Sequence, residues 1–267
     1  MHDAARADRE GMIHPSAIIE PGAQLADGVS VGAYSIVGKD VTLGERTWIG
    51  PHVVIEGRVS IGRDNRIYQF CAIGGPPQDK KYAGEDTSVE IGNGNVIREY
   101  VTINRGTMGD ARVTRLGDDN WIMAYVHLAH DCQVGSHTIF ANLSQLAGHV
   151  HVGDWAILGG ATHAHQFVRI GAHSFTGIDT FLDRDLPPYV KAAGSRAQPF
   201  GINSAGLRRR GFAEETILAI KRAYKTLYRS GLGAEEARRE LETQAAACAE
   251  VRTFADFLDA STRGIIR

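Results

Sequence analysis

The chain repeats an apolar residue at every sixth position over most of its length. One unbroken series comprises Leu116, Ile122, Leu128, Val134, Phe140, Leu146, Val152, Leu158, Ala164 and Ile170. The same step runs from Ile13 to Ile73 and again from Ile91 to Ile103. A period of six fits neither an amphipathic helix nor an alternating strand. A fixed internal repeat of this kind indicates a solenoid.

The six-residue step predicts a parallel β-helix in which each hexad supplies one short strand and one corner. Three hexads complete a triangular coil, so residues 18 apart stack at the ordinary strand spacing of about 4.8 Å. The apolar residue points inward, and stacking between neighbouring coils stabilises the fold. A glycine often follows it, as at Gly117, Gly135 and Gly153. We expect these glycines to form corners with backbone angles that side chains disfavour.

The repeat divides the chain into three parts. Residues 1–12 are predicted to be a polar lead-in, 13–190 a β-helix and 191–267 an α-helical C-terminal domain. The register fails over 74–88 and 106–115, which we interpret as loops projecting from the coil. Loops on a rigid scaffold are where binding residues concentrate.

The C-terminal part changes to a helical period from about Ala213. An amphipathic helix is predicted to end at Gly231, and two more helices are predicted over 234–250 and 251–261. This domain can cover the exposed strand edge of the last coil or carry a binding surface.

Composition narrows the function classes. The formal net charge of −2 gives no global positive field that would indicate a nucleic-acid partner. Cys71, Cys132 and Cys248 are widely spaced, which indicates a reducing compartment and a cytoplasmic location. The polar N-terminal residues are not expected to act as a secretion signal, and no apolar run reaches transmembrane length.

The repeat arithmetic also places candidate catalytic side chains. Leu128, Leu146 and Ala164 should stack, and Gly148 should lie directly above His130, 18 residues earlier. The prediction places three histidines in one column: His130, His149 and His165. An imidazole can act as a general base, and a glycine N–H can stabilise an oxyanion. Asp131 follows at a corner, where it can orient the imidazole.

Other functions stay open on the residues alone. A single histidine on a solenoid face is more often structural, and histidines on adjoining faces can bind zinc, as in a zinc hydratase. No cysteine joins this histidine column, which argues against a metal. A hexapeptide transferase that acts on an amine or uses coenzyme A, and a non-catalytic solenoid, are further alternatives.

Several motifs resemble one family, the UDP-N-acetylglucosamine O-acyltransferases that begin lipid A biosynthesis. The strings that carry the resemblance are HLAHDCQVG, LAGHV, HQF, QDKKYAGE, IYQF, TINRGT, PPYV, GLRRRGF and STRGIIR. They cover nearly the whole chain after Ile13, whereas the hexapeptide pattern alone is shared by many acyltransferases.

The resemblance implies a left-handed parallel β-helix and a homotrimer with active sites between subunits. It also implies transfer of a 3-hydroxyacyl group from acyl carrier protein to the 3-hydroxyl of UDP-N-acetylglucosamine. The acyl group arrives on the phosphopantetheine of the carrier, so neither a cofactor nor a metal is expected. Whether the acceptor carries a 3-hydroxyl or a 3-amine stays open, although Asp79 is compatible with a hydroxyl.

The resemblance assigns roles to individual residues. It implies that His130 is the general base, Asp131 its supporting carboxylate and Gly148 the oxyanion donor. The implied substrate-binding residues are Gln78, Asp79, Lys81, His127, His149, His165, Gln166, Asn203 and Arg209. A basic series in the tail, expected to attract the acidic carrier, comprises Arg208, Arg209, Arg210, Lys221, Arg222, Lys225 and Arg229.

Three positions depart from the family pattern. Asn104 replaces a frequent histidine, and Ala205 replaces an acid in the NxEGL string. Ile178 stands where long-chain members have glycine, and we expect it to shorten the accepted acyl chain because overfilling a packed slot is unfavourable.

Overall fold

The computed structural model describes residues 11–267, which form a three-sided coil of short strands followed by helices. The predicted lead-in, 1–12, lies outside the described residues except for its last two positions. The coil begins with a bridge between Ile13 and Val31.

Three walls make up the coil, and their strands pair in parallel except for the last strand of the third wall. The first wall contains β1 (Ile18–Ile19), β4 (Ile36–Val37), β7 (Val54–Ile55), β10 (Ala72–Gly75), β13 (Thr102–Asn104), β16 (His127–Leu128), β19 (Gln145–Leu146), β22 (His163–Ala164) and β25 (Phe181–Leu182). The second wall contains β2 (Gln24–Leu25), β5 (Val41–Leu43), β8 (Arg58–Ile61), β11 (Ser88–Ile91), β14 (Val113–Leu116), β17 (Gln133–Val134), β20 (His151–Val152) and β23 (Arg169–Ile170). The third wall contains β3 (Ser30–Val31), β6 (Trp48–Ile49), β9 (Arg66–Ile67), β12 (Val96–Ile97), β15 (Trp121–Ile122), β18 (Ile139–Phe140), β21 (Ile157–Leu158), β24 (Phe175–Thr176), β26 (Val190–Ala193) and β27 (Gln198–Ile202).

The register follows the six-residue step. Leu128 pairs with Leu146 and Leu146 with Ala164, as predicted, and all three side chains are buried in the interior. The winding is left-handed, which is an exception to the right-handed rule for parallel crossovers. Burial of one aliphatic side chain per strand fixes the register, because a slip of one residue would turn that side chain outward.

The corners are built differently from the prediction. The glycine after the inward residue does not supply the left-handed backbone. That conformation falls on the second residue after the glycine, often on a residue with a side chain, as at Asp119 (φ 54°) and His137 (φ 58°). The glycine is required instead by close approach of the next coil. A Cβ at Gly117 would lie 2.6 Å from Ser136 Oγ and 2.7 Å from the Gly135 carbonyl oxygen.

Two loops interrupt the coil on the same side. The first joins β10 to β11 over 76–87, within the predicted loop. The second joins β13 to β14 over 105–112, and it ends earlier than predicted because β14 already pairs with β11 from Val113.

Helices begin at α1 (Ser204–Arg209) and continue with α2 (Glu214–Arg229), α3 (Ala234–Ala245) and α4 (Ala249–Ala260). The predicted start of the helical domain at residue 191 is too early. β26 pairs with β24, and β27 then turns back antiparallel on β26 at the end of the third wall. None of the helices in the described range 11–267 has the length and apolar character needed to cross a bilayer.

Candidate active site

The candidate site lies at the corner between the first and second walls, which we call the site corner. Asp131, His149 and Phe167 occupy equivalent turn positions there, with φ of 59°, 64° and 65°. The ring of His149 stacks on Phe167, with centroids 4.4 Å apart and planes 2° apart. The β16–β17 turn therefore presents His130 and Asp131 together beside the next two coils.

His130 and Asp131 form a buried imidazole–carboxylate pair. His130 Nδ1 lies 2.9 Å from Asp131 Oδ2, and the two residues are 7% and 0% exposed. With a carboxylate at Nδ1, the neutral imidazole carries its proton on that atom and leaves Nε2 as the proton acceptor. This is the geometry of an oriented general base.

The Asp131 carboxylate is held from a second direction by Thr107 in the β13–β14 loop. Thr107 donates its hydroxyl to Oδ2 at 2.6 Å and its backbone N–H to both carboxylate oxygens at 3.0 and 3.1 Å. Burial acts to raise the pKa of Asp131, but the hydrogen bonds from His130 and Thr107 outweigh it and lower that pKa below its ordinary value. The carboxylate is therefore ionised and fixed at neutral pH.

Gly148 lies directly against the His130 ring, as the repeat arithmetic predicts. A Cβ built on Gly148 would lie 2.6 Å from His130 Nε2 and in still closer overlap with Cε1. Within residues 11–267, no acceptor bonds the Gly148 N–H, and the same holds at the corresponding turn positions Asn142 and Gly160. The equivalent amides of Asp118 and Ser136, at another corner, do bond side-chain oxygens. An unbonded amide is therefore shared by some corners, and the adjacent imidazole distinguishes Gly148.

The predicted column of three histidines is wrong in its register. The 18-residue repeat stacks His130 with Gly148 and Gln166, whereas His149 stacks above Asp131 in the neighbouring column. His165 is one residue off the column and bonds the Gln166 carbonyl oxygen through Nδ1 at 3.1 Å. His130 and His149 still meet edge to face, with ring centroids 4.8 Å apart.

Two further histidines have partners of their own. His149 Nδ1 lies 2.8 Å from Asp110 Oδ2, so a second imidazole–carboxylate pair adjoins the first. His127 Nδ1 lies 2.7 Å from Thr102 Oγ1. Burial lowers the pKa of His127, and the neighbouring His130 acts in the same direction, against an opposing hydrogen bond from Thr102. His127 is therefore neutral at neutral pH.

The loop residues predicted to bind substrate lie close to this corner in the fold. Asn104, at the end of β13, pairs with Gly75 at the base of the 76–87 loop, and β13 pairs with β16. Gln78 and Lys81 are exposed and Asp79 is half-buried. Asp79 Oδ1 accepts the backbone N–H of Lys81 at 3.0 Å, which makes a tight turn at the loop tip.

Asn203 and Arg209 lie at a different corner, between the second and third walls. Asn203 caps α1 by accepting the Gly206 N–H at 3.2 Å, and it donates to the His173 carbonyl oxygen at 3.1 Å. Its side chain thus has a structural role, while Arg209 is exposed. A single chain does not bring these two residues to the site corner.

Sequence reasoning assigned no role to Thr107 and Asp110. Both belong to the 105–112 loop, which lengthens one coil so that Ile103 pairs with Leu128, 25 residues later. Spacing by 18 could not place them. The TINRGT string contains Thr107 and was the available signal for it, whereas Asp110 lies beyond that string.

A metal-ligand interpretation of the same cluster is less consistent with its contacts. Ligand atoms of His130, Asp131 and His149 lie within 4.8 Å of one another. Both Asp131 oxygens already accept hydrogen bonds from Thr107, and each histidine Nδ1 faces a carboxylate. This pattern favours hydrogen-bonded pairs over a ligand set.

A left-handed β-helix with a buried imidazole–carboxylate pair against a corner glycine defines the class of hexapeptide-repeat acyltransferases. A model of bacterial transferase hexapeptide repeats matches residues 40–75 and 114–148. A model described as UDP-N-acetylglucosamine O-acyltransferase, domain 2, matches residues 185–266.

Individual relatives extend the match to nearly the full chain. The acyl-[acyl-carrier-protein]–UDP-N-acetylglucosamine O-acyltransferase of Herminiimonas arsenicoxydans is 56% identical over 260 residues, 96% of this chain and 99% of its own. The UDP-N-acetylglucosamine acyltransferase structure from Francisella novicida has a TM-score of 0.94 at 41% identity, covering 96% of this chain and 94% of its own. The Arabidopsis structure has a TM-score of 0.82 at 35% identity, covering 96% and 100%. The chain belongs to the family of UDP-N-acetylglucosamine O-acyltransferases.

Proposed function

We propose that the protein transfers a 3-hydroxyacyl group from acyl carrier protein to the 3-hydroxyl of UDP-N-acetylglucosamine, with His130 as general base. The observation that carries the residue assignment is the buried His130–Asp131 pair lying against Gly148, which has no room for a side chain. Transfer from acyl carrier protein to UDP-N-acetylglucosamine, in lipid A biosynthesis, is the activity of the family.

The reaction balances with these groups alone. His130 Nε2 takes the proton from the sugar hydroxyl, and the oxygen attacks the thioester carbonyl carbon. The thioester carbonyl oxygen becomes negatively charged and accepts a hydrogen bond from the Gly148 N–H, and this bond stabilises most in a site shielded from water. The C–S bond then breaks, and the phosphopantetheine thiolate takes the proton back from His130. A thioester is already activated, so we propose that no metal or cofactor takes part.

The active cleft is proposed to lie between two subunits of a homotrimer. Support comes from the separation of candidate residues within one chain. His130 occupies the site corner, whereas Arg209 is the last residue of α1, which begins at the corner between the second and third walls. A neighbouring copy can bring Arg209 to the nucleotide bound near His130, and closed three-fold symmetry repeats that cleft three times.

Mixed assemblies test this arrangement. Co-expression of His130→Ala chains with Arg209→Ala chains should restore activity, because about a quarter of the clefts in a random trimer would combine two intact partners. Each variant expressed alone is the control, and turnover of UDP-N-acetylglucosamine is the measurement. Activity of the mixture no higher than the mean of the two variants would show that the cleft is not shared.

The exposed face of α2 is the proposed docking surface for acyl carrier protein. Lys221, Arg222, Lys225 and Arg229 are all exposed along this helix, while Ile217, Ile220 and Leu227 on the other face are buried. Complementary charge raises the rate of encounter with an acidic carrier. Free thiols at Cys71, Cys132 and Cys248 are consistent with the proposed cytoplasmic location.

Ile178 is proposed to limit the acyl chain to short or medium length. It lies at the edge of the first wall opposite the site corner, beside Gly160, and is 78% exposed in the single chain. The groove that it would narrow therefore needs a second surface, as the trimer provides. Ile178→Gly should shift donor preference toward longer 3-hydroxyacyl carriers by at least about tenfold in relative kcat/KM, since each buried methylene contributes about 0.8 kcal/mol. Competition between donors of different length measures this, and an unchanged preference would refute the assignment.

A further inference from the structure

We infer that residues 104–107, which we call the connector, hold the acceptor-binding loop and the catalytic pair in a fixed mutual position. Two of its side chains bond the 76–87 loop and its base, and a third bonds Asp131. Arg105, Tyr82 and Thr107 are then positioning residues. This inference rests on the proposed assignment of His130 and Asp79.

The first half of the connector, Asn104 and Arg105, hydrogen-bonds the 76–87 loop and its base. Asn104 Nδ2 donates to the Pro76 carbonyl oxygen at 3.0 Å. Arg105 donates from Nη1 to the Gly74 carbonyl oxygen at 2.7 Å and from Nε to the Tyr82 hydroxyl at 2.9 Å. The Arg105 guanidinium also lies over the Tyr82 ring, 5.4 Å from its centroid. The loop is thus attached at its base and near its middle.

Tyr82 connects Arg105 to the turn that contains Asp79. Its hydroxyl donates to the Glu85 carbonyl oxygen at 2.9 Å while it accepts from Arg105, and its backbone N–H bonds the Asp79 carbonyl oxygen at 3.0 Å. Outside the connector, and within residues 11–267, the polar side-chain contacts from the coil to this loop come from the exposed Arg58, which forms an ion pair with Asp86 at 3.1 Å and donates to its carbonyl oxygen at 3.4 Å. Exposed ion pairs stabilise weakly, so the position of Asp79 depends on Tyr82.

The second half of the connector, Thr107, bonds the catalytic pair. Thr107 donates hydrogen bonds from its hydroxyl and its backbone N–H to the Asp131 carboxylate, and Asp131 in turn orients His130. Gly106, between the two halves, donates its N–H to the Ser88 carbonyl oxygen at 3.3 Å. A Cβ at Gly106 would overlap the backbone of Arg112 and Val113. The backbone path between the two sets of contacts is therefore tightly constrained.

Substitutions in the two sets of contacts are expected to change different kinetic constants. Tyr82→Phe removes both hydroxyl contacts and keeps the ring, so KM for UDP-N-acetylglucosamine should rise about tenfold with kcat changed less than about twofold. Thr107→Val removes the hydroxyl contact to Asp131 Oδ2 and keeps the backbone N–H contacts, so kcat should fall about tenfold with KM nearly unchanged. Thr107→Ser retains the hydroxyl and should recover most of the lost kcat.

Tyr34→Phe and Thr42→Val, at exposed positions in early coils, are matched controls and should leave both constants unchanged. Thermal unfolding midpoints of all variants should lie close to that of the parent protein. Equal proportional changes in KM and kcat at Tyr82 and Thr107, or no rescue by Thr107→Ser, would overturn the positioning roles. Full turnover by His130→Ala would instead overturn the proposed base, so the two failures are distinguishable.

Discussion

Replacing His130 by alanine is expected to lower kcat about a thousandfold, within the range of about 10²–10⁴ contributed by a positioned general base. The imidazole is 7% exposed and Nδ1 is bonded to Asp131, so Nε2 is the atom presented to an incoming hydroxyl. Turnover of UDP-N-acetylglucosamine with 3-hydroxyacyl carrier proteins is the measurement. KM should change little, because the base acts on the transition state more than on bound substrate.

His14→Ala is the matched control, since His14 is exposed in the first coil and, among the residues described, its imidazole ring hydrogen-bonds only to Ser16. It should retain the parent activity. A His130→Ala variant that turns over at the parent rate would show that another group takes the proton. The adjacent His149, paired with Asp110, would then be the next candidate.

Replacing Gly148 by alanine is expected to lower kcat about a hundredfold or more, comparable to the loss of an oxyanion donor. The new methyl group would lie 2.6 Å from His130 Nε2, and real contacts of this kind do not approach so closely. The ring must rotate away, which breaks its alignment with Asp131, or the corner must shift and move the amide. Either displacement separates the base from the oxyanion donor.

Gly160→Ala is a closely matched control for this substitution. Gly160 occupies the corresponding turn position at another corner, but its built Cβ meets nothing nearer than the Asn142 carbonyl oxygen at 3.5 Å. The same Cβ would lie 3.8 Å from Ile178, so activity is compared with the preferred acyl donor. With that donor the variant should fold and turn over with at most about a twofold change, as expected for an ordinary van der Waals contact. Parent-like activity of Gly148→Ala would show that the amide and the imidazole do not act together.

The juxtaposition of His130 and Gly148 was accessible from the sequence because uninterrupted coils keep a strict 18-residue register. Buried Leu128 and Leu146 set that register, and the corner residues follow from it. The error in the histidine column had a simple origin. A displacement of one residue along a corner changes the direction of the side chain, so His149 and His165 belong to other columns.

Contacts made by the two loops were not accessible in the same way. Thr107 reaches Asp131 across 24 residues and Arg105 reaches Tyr82 across 23, separations that the repeat does not encode. The glycines were also misinterpreted, because close approach of the next coil, rather than positive φ, excludes a side chain at Gly117.

The amino-acid sequence by itself determined the coil, its register and the pairing of the candidate base with a glycine amide. It could do so because one buried aliphatic per hexad repeats at constant spacing and each coil contacts only its neighbours. Only the tertiary structure decided which loop residues orient Asp131 and Asp79, and that Arg209 lies at a different corner from His130. Those relations depend on how irregular segments fold back on the coil, where side-chain hydrogen bonds rather than periodic burial choose the conformation.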